Sequence, residues 1–504
     1  MMCDRGGWVL LLSQLQKVLL KCETVNFVDT NIEFVTSDSR HVQAGALFIA
    51  LSGYMVDGHQ FAERAVAAGA KALLVEHELP IAVPQLVVPD TRLAAALVVD
   101  RFYDHPSQHL RMIGVTGTNG KTTTTYLIEK LLNDAGFQTG LLGTIEKRVA
   151  GASVDVRNTT PDTVELQSSL QEMVEAGCQY GIMEVSSHAL ELQRVAGTRY
   201  HVAVFTNLTQ DHLDFHGTME TYLAAKGKLF SRLGNTYGDD VGALSYGVLN
   251  ADDAASTYLA RQTVYECVTY GIENPADVRA TDVAVYPDGV RFHLTSFAGE
   301  ADVRLKLTGR FNVYNALAAI SVGLIEDLPL AQILQSLSGV TGVPGRMERV
   351  EGGQPFTVVV DYSHTPDSLS NALQTVQEFA SGRVITVVGC GGDRDKTKRP
   401  LMAQVATQYS QLTMLTSDNP RTEDPERILD DMEQGLAGSS LPANHRYERI
   451  TDRKQAIMRA IALAEANDVV LIAGKGHETY QIIGRTKFHF DDREVAGEAI
   501  AAKL

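Results

Sequence analysis

Cysteine is scarce and scattered in this chain of 504 residues: Cys3, Cys22, Cys178, Cys267 and Cys390 are odd in number and show no C-x-x-C spacing. That rules out a disulfide framework and a zinc ribbon, and it fits a reducing cytoplasm. Long apolar runs are missing too. The longest, residues 93–99, falls far short of the roughly 18–20 needed to span a bilayer, so no membrane insertion is expected. The run 8–12 is shorter still, follows Asp4 and leads into Ser13, Gln14, Gln16 and Lys17 without a small-residue cleavage pattern. It reads as a short helix rather than a signal peptide. Positive charge is in deficit: 44 Lys and Arg face 61 Asp and Glu, a net charge of −17. The field of the whole protein therefore opposes a polyanion, and nucleic acid is excluded as a partner. Internal repeats and low-complexity tracts are absent.

What is present is an ordinary globular composition, 44% hydrophobic and 21% charged, long enough for about three domains. Two breaks divide it. Asp104-His105-Pro106-Ser107 ends an alanine-rich helical stretch at 92–101, placing a boundary near 109. The Gly-rich, proline-containing segment 339–346 places a second near 342. The domains expected are 1–109, 110–342 and 343–504. Short apolar runs at 180–185, 201–205, 357–361, 384–388, 412–416 and 469–473 alternate with helical patterns, which predicts an α/β protein with parallel sheets. In such sheets ligands sit at the carboxyl ends of the strands, so the loops after these runs are where chemistry is sought.

Arg111 to Thr125 reads as a strand, a glycine turn and a helix, with Leu127, Ile128, Leu131, Leu132 and Ala135 at helical spacing beyond it. Within it, Gly117-Thr118-Asn119-Gly120-Lys121-Thr122-Thr123 has the makings of an anion cradle. Glycines allow close backbone approach, the unbonded amides of the first helical turn point at phosphate oxygens, and the helix dipole favours negative charge. Lys121 would reach the β- and γ-phosphates and the Thr122 hydroxyl would ligate Mg2+. The loop is a variant of the P-loop, with two residues rather than four between Gly117 and Gly120-Lys121. ATP or another nucleoside triphosphate is the expected cofactor.

This loop resembles that of the Mur ligases, and further segments extend the likeness over nearly the whole chain. They are Asn158-Thr159-Thr160-Pro161, Glu184-Val185-Ser186-Ser187-His188, Asn207-Leu208-Thr209-Gln210-Asp211-His212, Ala224-Ala225-Lys226, Gly309-Arg310-Phe311-Asn312, Pro344-Gly345-Arg346-Met347-Glu348, Asp361-Tyr362-Ser363-His364-Thr365-Pro366 and Gly474-Lys475-Gly476-His477-Glu478. The resemblance implies a small N-terminal α/β domain for a uridine nucleotide, a central P-loop-type ATPase domain and a C-terminal Rossmann-like domain for the incoming amino acid. Diaminopimelate-adding members carry Asp-Asn-Pro-Arg, which stands here as Asp418-Asn419-Pro420-Arg421. A guanidinium fork matches the distal carboxylate that lysine lacks, and without that carboxylate it would be left unpaired. Arg394, Gly474 and Glu478 resemble the other contacts to diaminopimelate, Glu478 holding the distal ammonium. Ser39 resembles a uridine-nucleotide contact, and Asn158, Thr159, Thr160, Ser186 and Arg194 resemble the residues holding the muramoyl dipeptide.

The activity implied is ATP-driven joining of meso-diaminopimelate to UDP-N-acetylmuramoyl-L-alanyl-D-glutamate through an acyl phosphate, in peptidoglycan precursor synthesis. Such an enzyme would work on small molecules as a cytoplasmic monomer. Lys121, Glu184, His212 and Lys226 would form its catalytic set, and Thr122, Glu184, His212 and Lys226 would hold Mg2+. Lys226 matches the lysine that carries a carbamate in the family, although beside Lys228 its composition alone reads as a solvated surface lysine.

His212 and His216 stand four apart, yet without an intervening Glu or a third ligand they fail the zincin pattern. His188 reads as structural. Gly389-Cys390-Gly391-Gly392 lacks G-x-G-x-x-G spacing, and Cys390 reads as a packing residue. Asp393, Asp395, Lys396, Lys398 and Arg399 read as a solvated loop. The functional alternatives are a lysine-adding ligase, a folylpolyglutamate synthetase, and an NTP-hydrolysing switch or motor.

Overall fold

The computed structural model describes residues 9–53, 56–156, 158–233, 243–437 and 445–504; Cys3 and Trp8 lie outside them. Among these residues the strands gather, in chain order, into three large sheets. The result is an α/β protein of three domains.

The first sheet has five strands in the order Glu23–Val25, Gln85–Val87, Ala70–Val75, Ala46–Ile49, Phe34–Thr36. The helix Thr91–Phe102 buries Ala94, Ala95, Val98, Val99 and Phe102, an i, i+4 stripe, in the same core as Leu47, Leu74 and Leu86. Its start is fixed by Asp90, whose carboxylate accepts from the N–H groups of Arg92 and Leu93. The helix expected at 8–12 is displaced. Leu10–Leu11 pairs as a strand with Asn31–Ile32, and the helix is Leu12–Gln16. Tertiary pairing with Ile32 outweighs local propensity there, while Leu12 and Leu15 turn inward at helical spacing.

The central sheet is parallel through its middle: Thr139–Leu142, Tyr180–Glu184, Arg111–Thr116, Val202–Phe205, Tyr246–Asn250 and Cys267–Gly271 lie side by side. Both its faces are covered, which is why these strands are continuous apolar runs rather than alternating ones. Arg111–Thr116 lies between Tyr180–Glu184 and Val202–Phe205. Chain order reverses about this strand, so a ligand crevice is expected at its carboxyl end. The break at 109 lies just before this strand.

In the last sheet Thr357–Asp361, Val469–Ala473, Val384–Cys390, Leu412–Ser417 and Arg446–Arg449 run parallel in that spatial order, with Glu348–Arg349 antiparallel at one edge. The break at 342 lies between the helix Leu330–Ser338 and this edge strand. No helix among the described residues is long and apolar enough to cross a membrane.

Two buried arginines brace the C-terminal sheet. Arg399, expected in a solvated loop, is instead fully buried: it donates to Glu423 and Asp431 at 2.8–3.1 Å and to Gly391 O at 3.2 Å, and it holds the Glu423 carboxyl down at about 2. A charged residue at the start of a helix is drawn inward when two carboxylates and a carbonyl satisfy it there. Arg453 and Asp492 are both fully buried and joined by two bonds, Nε to Oδ1 at 2.8 Å and Nη2 to Oδ2 at 2.7 Å. Asp492→Ala leaves that guanidinium uncompensated and is expected to cost about 3–5 kcal/mol. Denaturant unfolding checks this; a loss under about 1 kcal/mol would place Arg453 among ordinary surface pairs.

Candidate active site

The central strand ends at Thr116, and the chain turns through Gly117 (φ 152°) and Gly120 (φ 85°) into the helix Lys121–Asp134. Glycine is required at both turns. A Cβ on Gly117 would lie 1.9 Å from Thr206 Oγ1, and one on Gly120 would lie 2.4 Å from Asn315 Oδ1. The loop is bolted to its neighbour: Thr118 N–H donates to Asn207 O (2.8 Å), Asn119 N–H to Asn207 Oδ1 (2.9 Å) and Thr206 Oγ1 to Asn119 O (2.6 Å). Lys121 Nζ donates to the Gly117 and Thr118 carbonyls at 2.9 Å. Burial lowers its pKa, with Arg346 adding and Glu184 and Asp211 opposing.

Thr122 is the meeting point. Its hydroxyl donates to Glu184 Oε2 (3.0 Å) and accepts from Arg346 Nη2 (3.0 Å). Glu184, at the carboxyl end of its strand, is held by Thr144 N–H (2.8 Å) and Thr144 Oγ1 (3.0 Å). Arg346 comes from the segment leading into the C-terminal sheet; its guanidinium lies 4.7 Å from the Tyr362 ring centroid and its Nε is buried without a partner. Asp367, in the first turn of Pro366–Phe379, takes bonds from Asn119 Nδ2 (3.1 Å) and Thr209 Oγ1 (2.8 Å) across the same gap. Between the two domains lies a cavity of about 630 Å³, the size of a small-molecule site. Neither Arg346 nor Asp367 lies near the loop in the chain, so the sequence marks Arg346 only as part of a motif and does not single out Asp367.

Lys226 corrects the surface reading. It is 1% exposed on the helix Met219–Ser231, its Nζ 4.3 Å from the Tyr222 ring centroid, and Tyr222 Oη lies 3.2 Å from Thr118 Oγ1. Burial, reinforced by Lys121 and opposed by Asp211, pushes its pKa well below the usual lysine value. A readable signal existed: Tyr222, Ala225, Lys226, Leu229 and Phe230 form one buried helical stripe.

His212 sits at φ 54° ahead of Leu213–His216, edge-on to His188 at 4.7 Å, and burial pushes its pKa down to about 4. Its side chain is 43% exposed, with Nε2 3.4 Å from Asp211 Oδ2, and it lines the cavity. His216 bonds Ser187 Oγ at 2.9 Å, and His188 packs on Phe215 at 4.2 Å. Among the described residues no three His, Cys, Asp or Glu side chains converge as a ready-made metal cluster. As a donor set for Mg2+, hydroxyl and carboxylate oxygens 3.0 Å apart at the phosphate loop fit a hard cation.

On the other side of the sheet's carboxyl edge, Thr160 Oγ1 bonds Glu184 O (2.8 Å) and Ser186 Oγ (3.2 Å), Arg194 Nη1 donates to Thr160 O (3.3 Å), and Thr159 Oγ1 accepts from Thr144 Oγ1 (3.1 Å). Asn158 is exposed beside them. Gln193 Nε2 reaches Asp90 Oδ2 of the first domain at 3.0 Å, so this cluster borders that domain. Ser39 lies apart, in the turn after Phe34–Thr36.

The third cluster occupies the loops after Val384–Cys390, Leu412–Ser417 and Val469–Ala473. Arg421 Nη1 donates to Gly392 O (2.8 Å), Asn419 Nδ2 to Glu478 Oε2 (2.9 Å), and Arg394 Nη1 to Asp393 O (3.1 Å). Pro420 O packs on Gly392, and a Cβ on Gly474 would lie 2.9 Å from Asp418 Oδ2. Lys475, fully buried, was missed: its Nζ bonds Glu478 Oε2 (2.9 Å) and Asn419 Oδ1 (3.2 Å). Cys390 is buried in the core beneath, where desolvation pushes its thiol up to about 12.

Family models described as Mur ligase family, catalytic domain, Mur ligase middle domain, and Mur ligase, glutamate ligase domain match residues 31–111, 115–323 and 345–476. A Bacillus cereus protein named UDP-N-acetylmuramoyl-L-alanyl-D-glutamate--2,6-diaminopimelate ligase is 50% identical over 473 residues, covering 94% of this chain and 95% of its own length. A solved structure of a ligase of that name superposes with a TM-score of 0.68 at 36% identity, over 97% of this chain and 98% of that one. A Thermotoga maritima MurF ligase in complex with ADP superposes with a TM-score of 0.62 at 17% identity, over 93% and 96% of the two chains, and is similar in fold.

Proposed function

The chain belongs to the Mur ligase family, and from that premise we infer that it is the ATP-dependent ligase joining 2,6-diaminopimelate to UDP-N-acetylmuramoyl-L-alanyl-D-glutamate, a step of peptidoglycan precursor synthesis. The observation that carries the mechanism is the closing of the phosphate loop on Arg346 of the following domain, at Thr122.

The substrate's γ-carboxylate oxygen attacks the γ-phosphorus of ATP, the bond to the β-phosphate oxygen breaks, and ADP leaves an acyl phosphate. The amine of diaminopimelate then attacks the acyl carbon, loses a proton, and inorganic phosphate departs. Neither step needs a protein nucleophile; positioning and charge neutralisation suffice. The amides and glycines of Gly117, Thr118, Asn119, Gly120, Lys121, Thr122 and Thr123 cradle the polyphosphate. Lys121 and Arg346 set positive charge where the transferring group gains negative charge. Thr122, Glu184, His212 and a carbamylated Lys226 would hold Mg2+, which would supply positive charge to offset that of the phosphates. Lys226, whose burial favours the uncharged amine, is suited to attack CO2 through its lone pair and release a proton, and the resulting carbamate is an anion.

We assign the remaining clusters by chemistry and position. Arg421 pairs with the distal carboxylate of diaminopimelate. Glu478, whose Oε2 is occupied by Lys475 and Asn419, offers Oε1 to the distal ammonium, and Arg394, Asp418, Asn419, Pro420 and Gly474 shape that pocket. Asn158, Thr159, Thr160, Ser186 and Arg194 hold the muramoyl dipeptide at the border with the first domain, and Ser39 the uridine nucleotide. Residues 1–109, 110–342 and 343–504 thus divide nucleotide-sugar, ATP and amino-acid recognition among them. The reading is of a monomer working in the cytoplasm, where ATP is supplied. ADP release should require acceptor and amine together. Steady hydrolysis with ATP alone would instead support a switch or motor.

A further inference from the structure

We propose that the hairpin Tyr480–Ile483 and Thr486–His489 is a positioning clamp for Arg421, fixing the backbone conformation that aims its guanidinium and so setting selectivity for an amino acid with a second carboxylate. The inference rests on the assignment of Arg421 made above.

Arg421 has φ 52°, in the left-handed region that a side chain bearing a Cβ rarely adopts. The hairpin holds it there from both sides. Arg421 N–H donates to Ile482 O (3.0 Å), Gly484 N–H donates to Arg421 O (2.7 Å), and Arg421 forms a parallel bridge with Ile483. The same hairpin ties down the preceding residues: Gln481 Nε2 donates to Asp418 O (2.7 Å) and Ile482 N–H to Asn419 Oδ1 (2.9 Å). At the far end of the side chain, Nη1 is held by Gly392 O, and a Cβ on Gly391 would approach it to 2.9 Å. Backbone and Nη1 are thus both held, with Nε and Nη2 left to meet a ligand carboxylate.

The hairpin has little packing of its own: Ile483 and Phe488 are half exposed. Its tightest connections are to this loop. It also begins two residues after Glu478, so one element sets the spacing between the cation-holding carboxylate and the anion-holding guanidinium. Selectivity for a substrate with a charged group at each position depends on that spacing.

Gly484 allows a clean test. It has φ 62°, and a Cβ there would meet nothing within 4 Å. Asparagine tolerates this conformation, whereas proline fixes φ near −65° and removes the N–H that reaches Arg421. Gly484→Pro is expected to raise the KM for diaminopimelate about tenfold or more, with kcat and the KM for ATP within about twofold, while Gly484→Asn stays close to the parent. In an Arg421→Ala background the proline should add less than about twofold, because the group it misplaces is gone. Equal losses for ATP and diaminopimelate, matching effects of proline and asparagine, or a full multiplicative effect on Arg421→Ala would each overturn the clamp. A parental KM for diaminopimelate in Arg421→Ala alone would overturn the assignment of the guanidinium, and the clamp with it.

Discussion

Replacing Arg346 with methionine lowers kcat about 10³-fold, roughly 4 kcal/mol of transition-state stabilisation, while ATP still binds within a few-fold of the parent. The expectation follows from where the guanidinium sits. It is 3.0 Å from the Thr122 hydroxyl at the head of the phosphate loop, stacked on Tyr362, with a buried Nε that nothing in the described chain satisfies. A cation held in a low-dielectric gap with a donor to spare acts mainly on charge that develops during transfer, and less on the ground state. It also arrives from the C-terminal domain, so the site is complete only when both domains meet. Arg346→Lys should recover a minority of the rate, since a point charge on a flexible stem lacks the planar fork. Calorimetric ATP affinity beside single-turnover phosphate transfer separates the two effects. A parallel loss of affinity and rate would make Arg346 a binding residue only.

Lys226→Met should reduce kcat about 10²–10³-fold and raise the Mg2+ concentration needed for half-maximal rate. The parent enzyme should lose activity in buffer stripped of CO2 and regain it when bicarbonate is returned. Both effects come from one fact: burial of a lysine with no ion pair among the described residues disfavours its charged form, and the uncharged amine is what reacts with CO2. Indifference of the parent to CO2 removal would leave Lys226 as a packed amine and nothing more.

These residues also mark how far the sequence could be read. Strands such as Thr357–Asp361 and Val469–Ala473 have the bounds expected of them, since a fully buried parallel strand is a short apolar run between turn residues. The phosphate loop was legible for a similar reason: strand, glycine turn and helix are consecutive in the chain. Lys226 and Lys228 look alike in composition, yet two helical residues apart means about 200° around the axis. One turns into the core while the other pairs with Glu191 in solvent. Arg399 hid in a charge run because its carboxylate partners, Glu423 and Asp431, lie 24 and 32 residues away. The clasp on Arg421 was illegible for the same cause, being made of backbone bonds to a hairpin some 60 residues downstream. Local periodicity reports which face is buried; it does not report what a distant segment places there.

The most direct measurement is the mass of the product formed from UDP-N-acetylmuramoyl-L-alanyl-D-glutamate, ATP and Mg2+ with diaminopimelate and lysine supplied in equal amounts. The predicted result is a nucleotide heavier by one diaminopimelate residue, formed with one ADP each. A lysine adduct in comparable yield, or ADP with no adduct at all, would contradict it.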